Sequence, residues 1–301
     1  MSTISPKQAL IYGINELNKA KIDSARLDAE LLISFLLGYT LEKLISNIQY
    51  PISNIQFNKY KQLIEKRAKY YPVAYLVGKK EFYGIEFYVN KNVLVPRPET
   101  ELIVENVIDY CRGAIHCAQK KGVINHAPTI LEIGTGSGCV ALTLAKYLPK
   151  TKITAVDISE KALIVARKNR TLIQTRDRVS LQNTRFKQSN LLSNIGFRPD
   201  IIVANLPYLD NLKEILKESE SKALKHEPQI ALKGGRDGLD IYRKMFRQIK
   251  TKKWTGLTVF IEIGETQAKT IKKYIRALFP NAQIETKKDL ANKDRVVIVK
   301  T

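Results

Sequence analysis

Through residues 1–78 the apolar positions recur at helical spacing. Ser5-Pro6-Lys7-Gln8 has the form of a capping box with Pro at the first helical position, and Ala9, Leu10, Ile14 and Leu17 follow on one period. Ser24 opens a second helix in which Leu27, Leu31 and Phe35, with Leu32 and Leu36 beside them, form an apolar stripe ended by Gly38. A third stretch sets Phe57, Tyr60, Leu63, Ile64 and Ala68 on one face and stops at Tyr71-Pro72. Core packing accounts for these stripes, and nothing in the segment suggests catalysis.

Near Gly78 the period changes from helical to alternating. Phe82 to Val89 is aromatic and strand-like with Gly84 at a turn position, which predicts a hairpin. Beyond it, β-branched runs at 129–134, 153–158, 200–204, 259–264 and 295–299 alternate with helical patterns at 138–148, 160–170, 237–250 and 266–278. This alternation predicts a mostly parallel sheet with helices on both faces.

The chain has 301 residues, 44% of them hydrophobic and 26% charged, an ordinary globular balance. The longest apolar stretch, Leu31 to Leu37, is far below the ~20 residues needed to span a bilayer, so no membrane association is expected. No basic-then-apolar leader is evident, and a cytoplasmic protein is expected. Cys111, Cys117 and Cys139 form no CxxC pair, and His116, His126 and His226 lie at no metal-ligand spacing with them. A reducing compartment and no metal follow as expectations. The charge is unusual: 50 basic against 29 acidic residues, net +21. Residues 242–301 hold 15 basic and 5 acidic side chains, nearly half the excess. An excess of this size first raises nucleic acid as a partner.

Two motifs carry chemistry. The first is Glu132-Ile-Gly134-Thr135-Gly136-Ser137-Gly138, at the end of one strand and the start of a helix. Its glycines permit a sharp turn and close approach of a ligand to backbone N–H groups. A dinucleotide fingerprint would place its third glycine where Cys139 stands. The ExGxGxG form suits S-adenosylmethionine better than a pyrophosphate. Asp157, at the end of the next strand, can accept both ribose hydroxyls.

The second motif is Asn205-Leu206-Pro207-Tyr208, closing the strand that starts at Asp200. Asn205 can accept a hydrogen bond from a substrate NH₂, and a neighbouring backbone carbonyl can accept another. Pro207 holds Leu206 extended, and Tyr208 offers a flat face to a planar group. Holding an amide nitrogen beside a methyl sulfonium would supply orientation to a poor nucleophile. Asn205, Pro207 and Tyr208 are the candidate catalytic residues.

With these motifs in place the chain resembles the HemK/PrmC family, the peptide chain release factor N5-glutamine methyltransferases. The resemblance runs nearly end to end: Ser24 to Leu32, Arg67 with Pro72 to Gly78, Glu81 to Gly84, Val93 to Glu101, His226-Glu227-Pro228, Ala231 to Leu239, Glu262-Ile263-Gly264 with Gln267, and Asp294-Arg295-Val296. It implies an α/β fold: a Rossmann-like seven-stranded S-adenosylmethionine-dependent methyltransferase domain at 96–301. A small all-helical substrate-recognition domain at 1–78 and a β-hairpin linker at 79–95 would precede it. It also implies methyl transfer to the side-chain amide nitrogen of the glutamine in the Gly-Gly-Gln motif of class 1 release factors, leaving S-adenosylhomocysteine. Glu132, Gly134 to Gly138, Asp157, Asn190, Leu191 and Asn205 would hold the cofactor. Asn205 to Tyr208, with Arg97 and Glu99, would bind substrate. A monomer fits the family, and direct nucleic-acid binding is not expected of it. Leu206 replaces the first proline of the usual Asn-Pro-Pro-Tyr, and Asn190 stands where an acid is usual.

Three other readings compete. A sister enzyme methylates a glutamine of a large-subunit ribosomal protein. The rRNA adenine dimethyltransferases also carry Asn-Leu-Pro-Tyr but lack the Pro96-Arg97-Pro98 and Gly234 to Leu239 segments. A scaffold without activity would have no use for the amide-holding loop.

Overall fold

The computed structural model describes residues 4–120, 127–211, 214, 216 and 220–301. His126 lies outside them, as do the side chains of His116 and Cys117. Contacts divide the chain into two compact units. One holds the described residues up to Lys79 with those of 213–227; the other holds 80–212 with 228–301.

The first unit is helical: α1 (Pro6–Lys19), α2 (Ala25–Leu37), α3 (Leu41–Ser46), α4 (Asn54–Ala68) and α5 (Val73–Val77). Ser5 and Gln8 form the capping box expected at α1, and Ser53 with Gln56 forms a second at α4. Ala9, Leu17, Ala29, Leu32, Ile33, Tyr60 and Ile64 make its core. Within it Arg67 Nε pairs with Asp28 Oδ2 at 2.6 Å, and Ser24 Oγ donates to the same oxygen at 2.8 Å.

The stripe read on α2 is corrected here. Leu27, Leu31 and Phe35 are 52%, 36% and 46% exposed, whereas Ala25, Ala29, Leu32 and Ile33 are buried. Helix α2 carries two apolar stripes side by side. The one containing alanines faces inward, because small side chains let α1 and α4 approach closely.

The second unit begins with the hairpin β1 (Lys79–Phe82) and β2 (Ile85–Tyr88). Phe82, Ile85 and Phe87 are buried in the same core as Ile130, Val140 and Ile201, so this segment packs as part of the unit. A seven-stranded sheet follows: β3 (Thr129–Ile133), β4 (Lys152–Asp157), β5 (Thr184–Gln188), β6 (Ile201–Ala204), β7 (Thr258–Glu262), β8 (Gln283–Lys288) and β9 (Asp294–Lys300). Their order is β5-β4-β3-β6-β7-β9-β8; β9 runs antiparallel to both neighbours and the other pairings are parallel.

Alternation along each strand sends Ile130, Ile201, Val203 and Phe260 to one face and Leu131, Ile202, Val259 and Ile261 to the other. The hairpin, α6 (Glu101–Lys120) and α7 (Cys139–Tyr147) cover the first face. Helices α9 (Asp240–Thr251) and α10 (Ala268–Leu278) cover the second, and α8 (Glu160–Asp177) links β4 to β5. The chain winds outward from β3 through β4 to β5, then returns to place β6 on the other side of β3. That reversal opens a crevice at the carboxyl ends of β3 and β6. Both sequence motifs end there.

Candidate active site

A cavity of about 320 Å³ occupies the crevice, within the range usual for small-molecule sites. Gly134, Gly136, Asp157, Asn190, Leu191, Asn205, Leu206 and Pro207 lie on its wall, so the fold brings the two motifs and the 190–191 pair together. Gly134 turns with φ +78°, and a Cβ there would stand 2.9 Å from Leu206 Cδ2. The positive φ favours glycine there, and the missing side chain leaves room for Leu206.

Asp157 faces the cavity while its oxygens accept from the Gly136 and Ser159 amides, each at 2.9 Å. Burial raises its pKa, opposed by these backbone donors. Beside it Ser189 Oγ donates to Leu191 O at 2.8 Å. That bond helps hold Leu191 at φ +54°, a conformation unfavourable for a residue with a side chain.

Glu132 does not line the cavity. It is 4% exposed, accepts from Thr135 Oγ1 at 2.6 Å, and is pushed up to about 7 by burial. Its contact is with the turn that shapes the site. Thr135, Ser137 and Gly138 likewise lie behind the wall. A strut absent from the sequence reading supports the same turn. Buried Asn169 donates to Ser137 O at 2.9 Å and to Tyr88 O at 3.0 Å, and accepts from the Tyr88 amide at 2.7 Å.

The Asn205 loop is braced from three sides. Asn205 Nδ2 donates to Thr100 Oγ1 at 2.9 Å. The Leu206 amide, present because no proline stands there, donates to Tyr242 Oη at 3.0 Å; Tyr242 in turn donates to the Glu262 carbonyl. Gln267 Nε2 donates to Tyr208 O at 2.8 Å and to Asp237 O at 3.0 Å, while its Oε1 accepts from the Gly264 amide at 2.9 Å. A Cβ on Gly238 would collide with Tyr208 O and Gln267. The Gly234 to Leu239 and Glu262 to Gln267 motifs therefore buttress the 205–208 loop.

Tyr208 is not on the cavity wall; its hydroxyl donates to Glu262 Oε1 at 3.3 Å. Glu262 is 1% exposed. Burial raises it to about 7, against the lowering pull of the Thr100 hydroxyl, Arg295 and Tyr208. Arg97 and Glu99 also stand off the wall. From the same segment it is Thr100 that reaches Asn205, and Glu101 Oε1 accepts from the Tyr83 amide at 2.8 Å. Asn92 and Lys244, outside the sequence motifs, also line the cavity, as does Pro228 of the His226-Glu227-Pro228 motif. Among the described residues no group of acids, histidines and cysteines is placed to hold a metal, and no helix could cross a membrane.

A glycine turn after β3, a carboxylate after β4 and an Asn-Leu-Pro-Tyr loop after β6 define a methyltransferase of the Rossmann-like class. The fold matches that of the hMettl16 catalytic domain at TM-score 0.54, with 15% identity, over 73% of this chain and 76% of that one. Residues 116–235 match the methyltransferase small domain and residues 8–78 the PrmC N-terminal domain. The release factor glutamine methyltransferase of Clostridium acetobutylicum is 32% identical over 97% of both chains. The bifunctional methyltransferase of Rickettsia felis is also 32% identical, over 98% of this chain, which spans only 58% of that protein. The chain belongs to the release factor glutamine methyltransferase family.

The cavity fits the methyl donor used by such enzymes. Asp157 offers acceptors for ribose hydroxyls, Gly134 and Gly136 give a backbone cradle, and Ile158 with Leu191 offers apolar surface for a flat ring.

Proposed function

We propose that this chain methylates the side-chain amide nitrogen of the glutamine in the Gly-Gly-Gln motif of class 1 release factors. S-adenosylmethionine would be held by Gly134, Gly136, Asp157, Asn190 and Leu191. Bound there, the cofactor supplies a sulfonium-activated methyl group.

The observation that carries this reading is the bond from Asn205 Nδ2 to Thr100 Oγ1. With its NH₂ end committed, Asn205 keeps its carbonyl oxygen as an acceptor at the crevice. That oxygen can hold one N–H of a substrate amide, and the Leu206 carbonyl can hold the other. Both bonds orient the nitrogen, whose lone pair is otherwise spread into the amide, and proximity does the rest. Pro207 contributes by lacking an N–H that would compete for those acceptors. Tyr208, tethered to Glu262, keeps the loop in register.

The helical unit is proposed to hold the release factor, and its exposed Leu27, Leu31 and Phe35 are the natural contact.

The test is incubation with labelled methyl donor, release factor, ribosomal proteins and rRNA, followed by mapping of the label. Label on the Gly-Gly-Gln glutamine is expected. Label removed by ribonuclease, or found only on a ribosomal protein, would overturn the assignment.

A further inference from the structure

Part of the charge surplus lies on two helices of the second unit. Helices α9 and α10 bury Tyr242, Phe246, Ile249, Ile271 and Ile275 in one core against the same side of the sheet. They lie alongside each other: Tyr274 Oη donates to Arg243 O at 3.3 Å, and Phe246 meets Phe279 edge-on at 6.4 Å. Their outer faces therefore look the same way.

On α9, Arg247 and Lys250 are exposed, and Lys253 lies just past its end. On α10, Lys269, Lys273 and Arg276 are exposed at i, i+4 and i+7, about one per 5.4 Å turn. None of these six makes an ion pair among the described residues. Nearby acids are engaged elsewhere: Asp237 and Asp240 with Arg243, Glu265 with Lys293, and Asp289 with Arg295. Neither helix exposes a large apolar side chain. Lys244, one turn before Arg247, stands on the cavity wall, so the basic row begins at the crevice.

We propose that this two-helix face binds RNA through its phosphate backbone, without reading sequence. Six uncompensated cations repel one another, and a polyanion relieves that repulsion while releasing its own condensed counterions. An acidic protein partner would need an apolar centre to bury, which this face lacks. A phosphate backbone needs none. The inference stands independently of the methyl-transfer reading.

The full chain is titrated into a fluorescein-labelled RNA hairpin of about 20 base pairs, with anisotropy read over a series of salt concentrations. A log–log salt slope of about −4 is expected, as for four to five phosphate contacts. The variant carrying Arg247→Gln, Lys269→Gln, Lys273→Gln and Arg276→Gln should bind at least ~10-fold more weakly with a shallower slope. Its melting temperature and affinity for S-adenosylhomocysteine should be unchanged. A control with Lys59→Gln, Lys66→Gln, Lys150→Gln and Lys152→Gln should keep most of the affinity. Equal loss in the control would overturn the proposal, as would no RNA binding at low salt or tighter binding to phosphatidylserine vesicles than to RNA.

Discussion

Thr100 and Asn205, 105 residues apart, are joined by a 2.9 Å hydrogen bond in which the asparagine donates. In the proposed reaction, the bond fixes which end of the Asn205 amide would remain for the substrate. Without it, the amide can rotate by half a turn and offer an N–H where an acceptor is required.

Thr100→Val keeps the shape but removes that acceptor. We expect kcat to fall about 10- to 100-fold, or roughly 1.4–2.7 kcal/mol. S-adenosylhomocysteine affinity should be unchanged, and Thr100→Ser should recover most of the loss. Asn205→Ala should abolish transfer while leaving donor binding nearly intact. Single-turnover kinetics with calorimetry on the three variants checks both statements; normal turnover in Asn205→Ala would refute the role given to its amide.

Leu206→Pro restores the usual motif of the family but deletes the N–H that Tyr242 accepts in this chain. A cost of about 1 kcal/mol in unfolding free energy is expected. Tyr242→Phe should cost less in that background than in the unaltered chain. A double-mutant cycle by denaturant unfolding measures the coupling, and strict additivity would mean that the bond contributes nothing.

Stability should fall as pH rises toward neutrality and beyond. Glu132 and Glu262 are both raised from 4.5 to about 7 by burial. Between those values the folded chain holds protons that the unfolded chain has released. Their contribution is therefore complete below about pH 4.5 and lost as pH passes 7, at most about 3 kcal/mol each. Unfolding titrations at pH 5.5 and 8.5 should show the decline, and Glu262→Gln should remove about half of it. An unaltered slope in that variant would assign the decline to other groups.

Replacing Leu27, Leu31 and Phe35 together by serine removes an apolar stripe that the helical unit does not bury. KM for release factor should rise about tenfold or more, equivalent to ~1.4 kcal/mol, with kcat for a short glutamine peptide unchanged. A fall in melting temperature instead would return the stripe to a packing role.

The parts of the fold that could be read from the sequence were those set by local chemistry. Gly134 to Gly138 and Asn205 to Tyr208 mark strand ends because glycine frees the backbone to turn and proline restricts it wherever they stand. Strands β5 and β8 carry no strand signal in the sequence. They form the two edges of the sheet, and Thr184–Gln188 and Gln283–Lys288 are accordingly polar. Helix α6 was also passed over, although Ile103, Val104, Val107, Ile108 and Cys111 follow a helical period. On α2 the periodicity of leucine points to the exposed face, whereas helix packing buries the face with the small side chains. In the site, Thr100, Asn169 and Tyr242 act through partners at least 20 residues away, and no local pattern announces such bonds.

Gln267 ties Tyr208 to Asp237, and Gly238 leaves no room between them for a side chain. Three stretches separated along the chain are therefore inherited as one part. A chimera that imports residues 205–208 from a relative should keep the loop in place only if 237–238 and 267 travel with it.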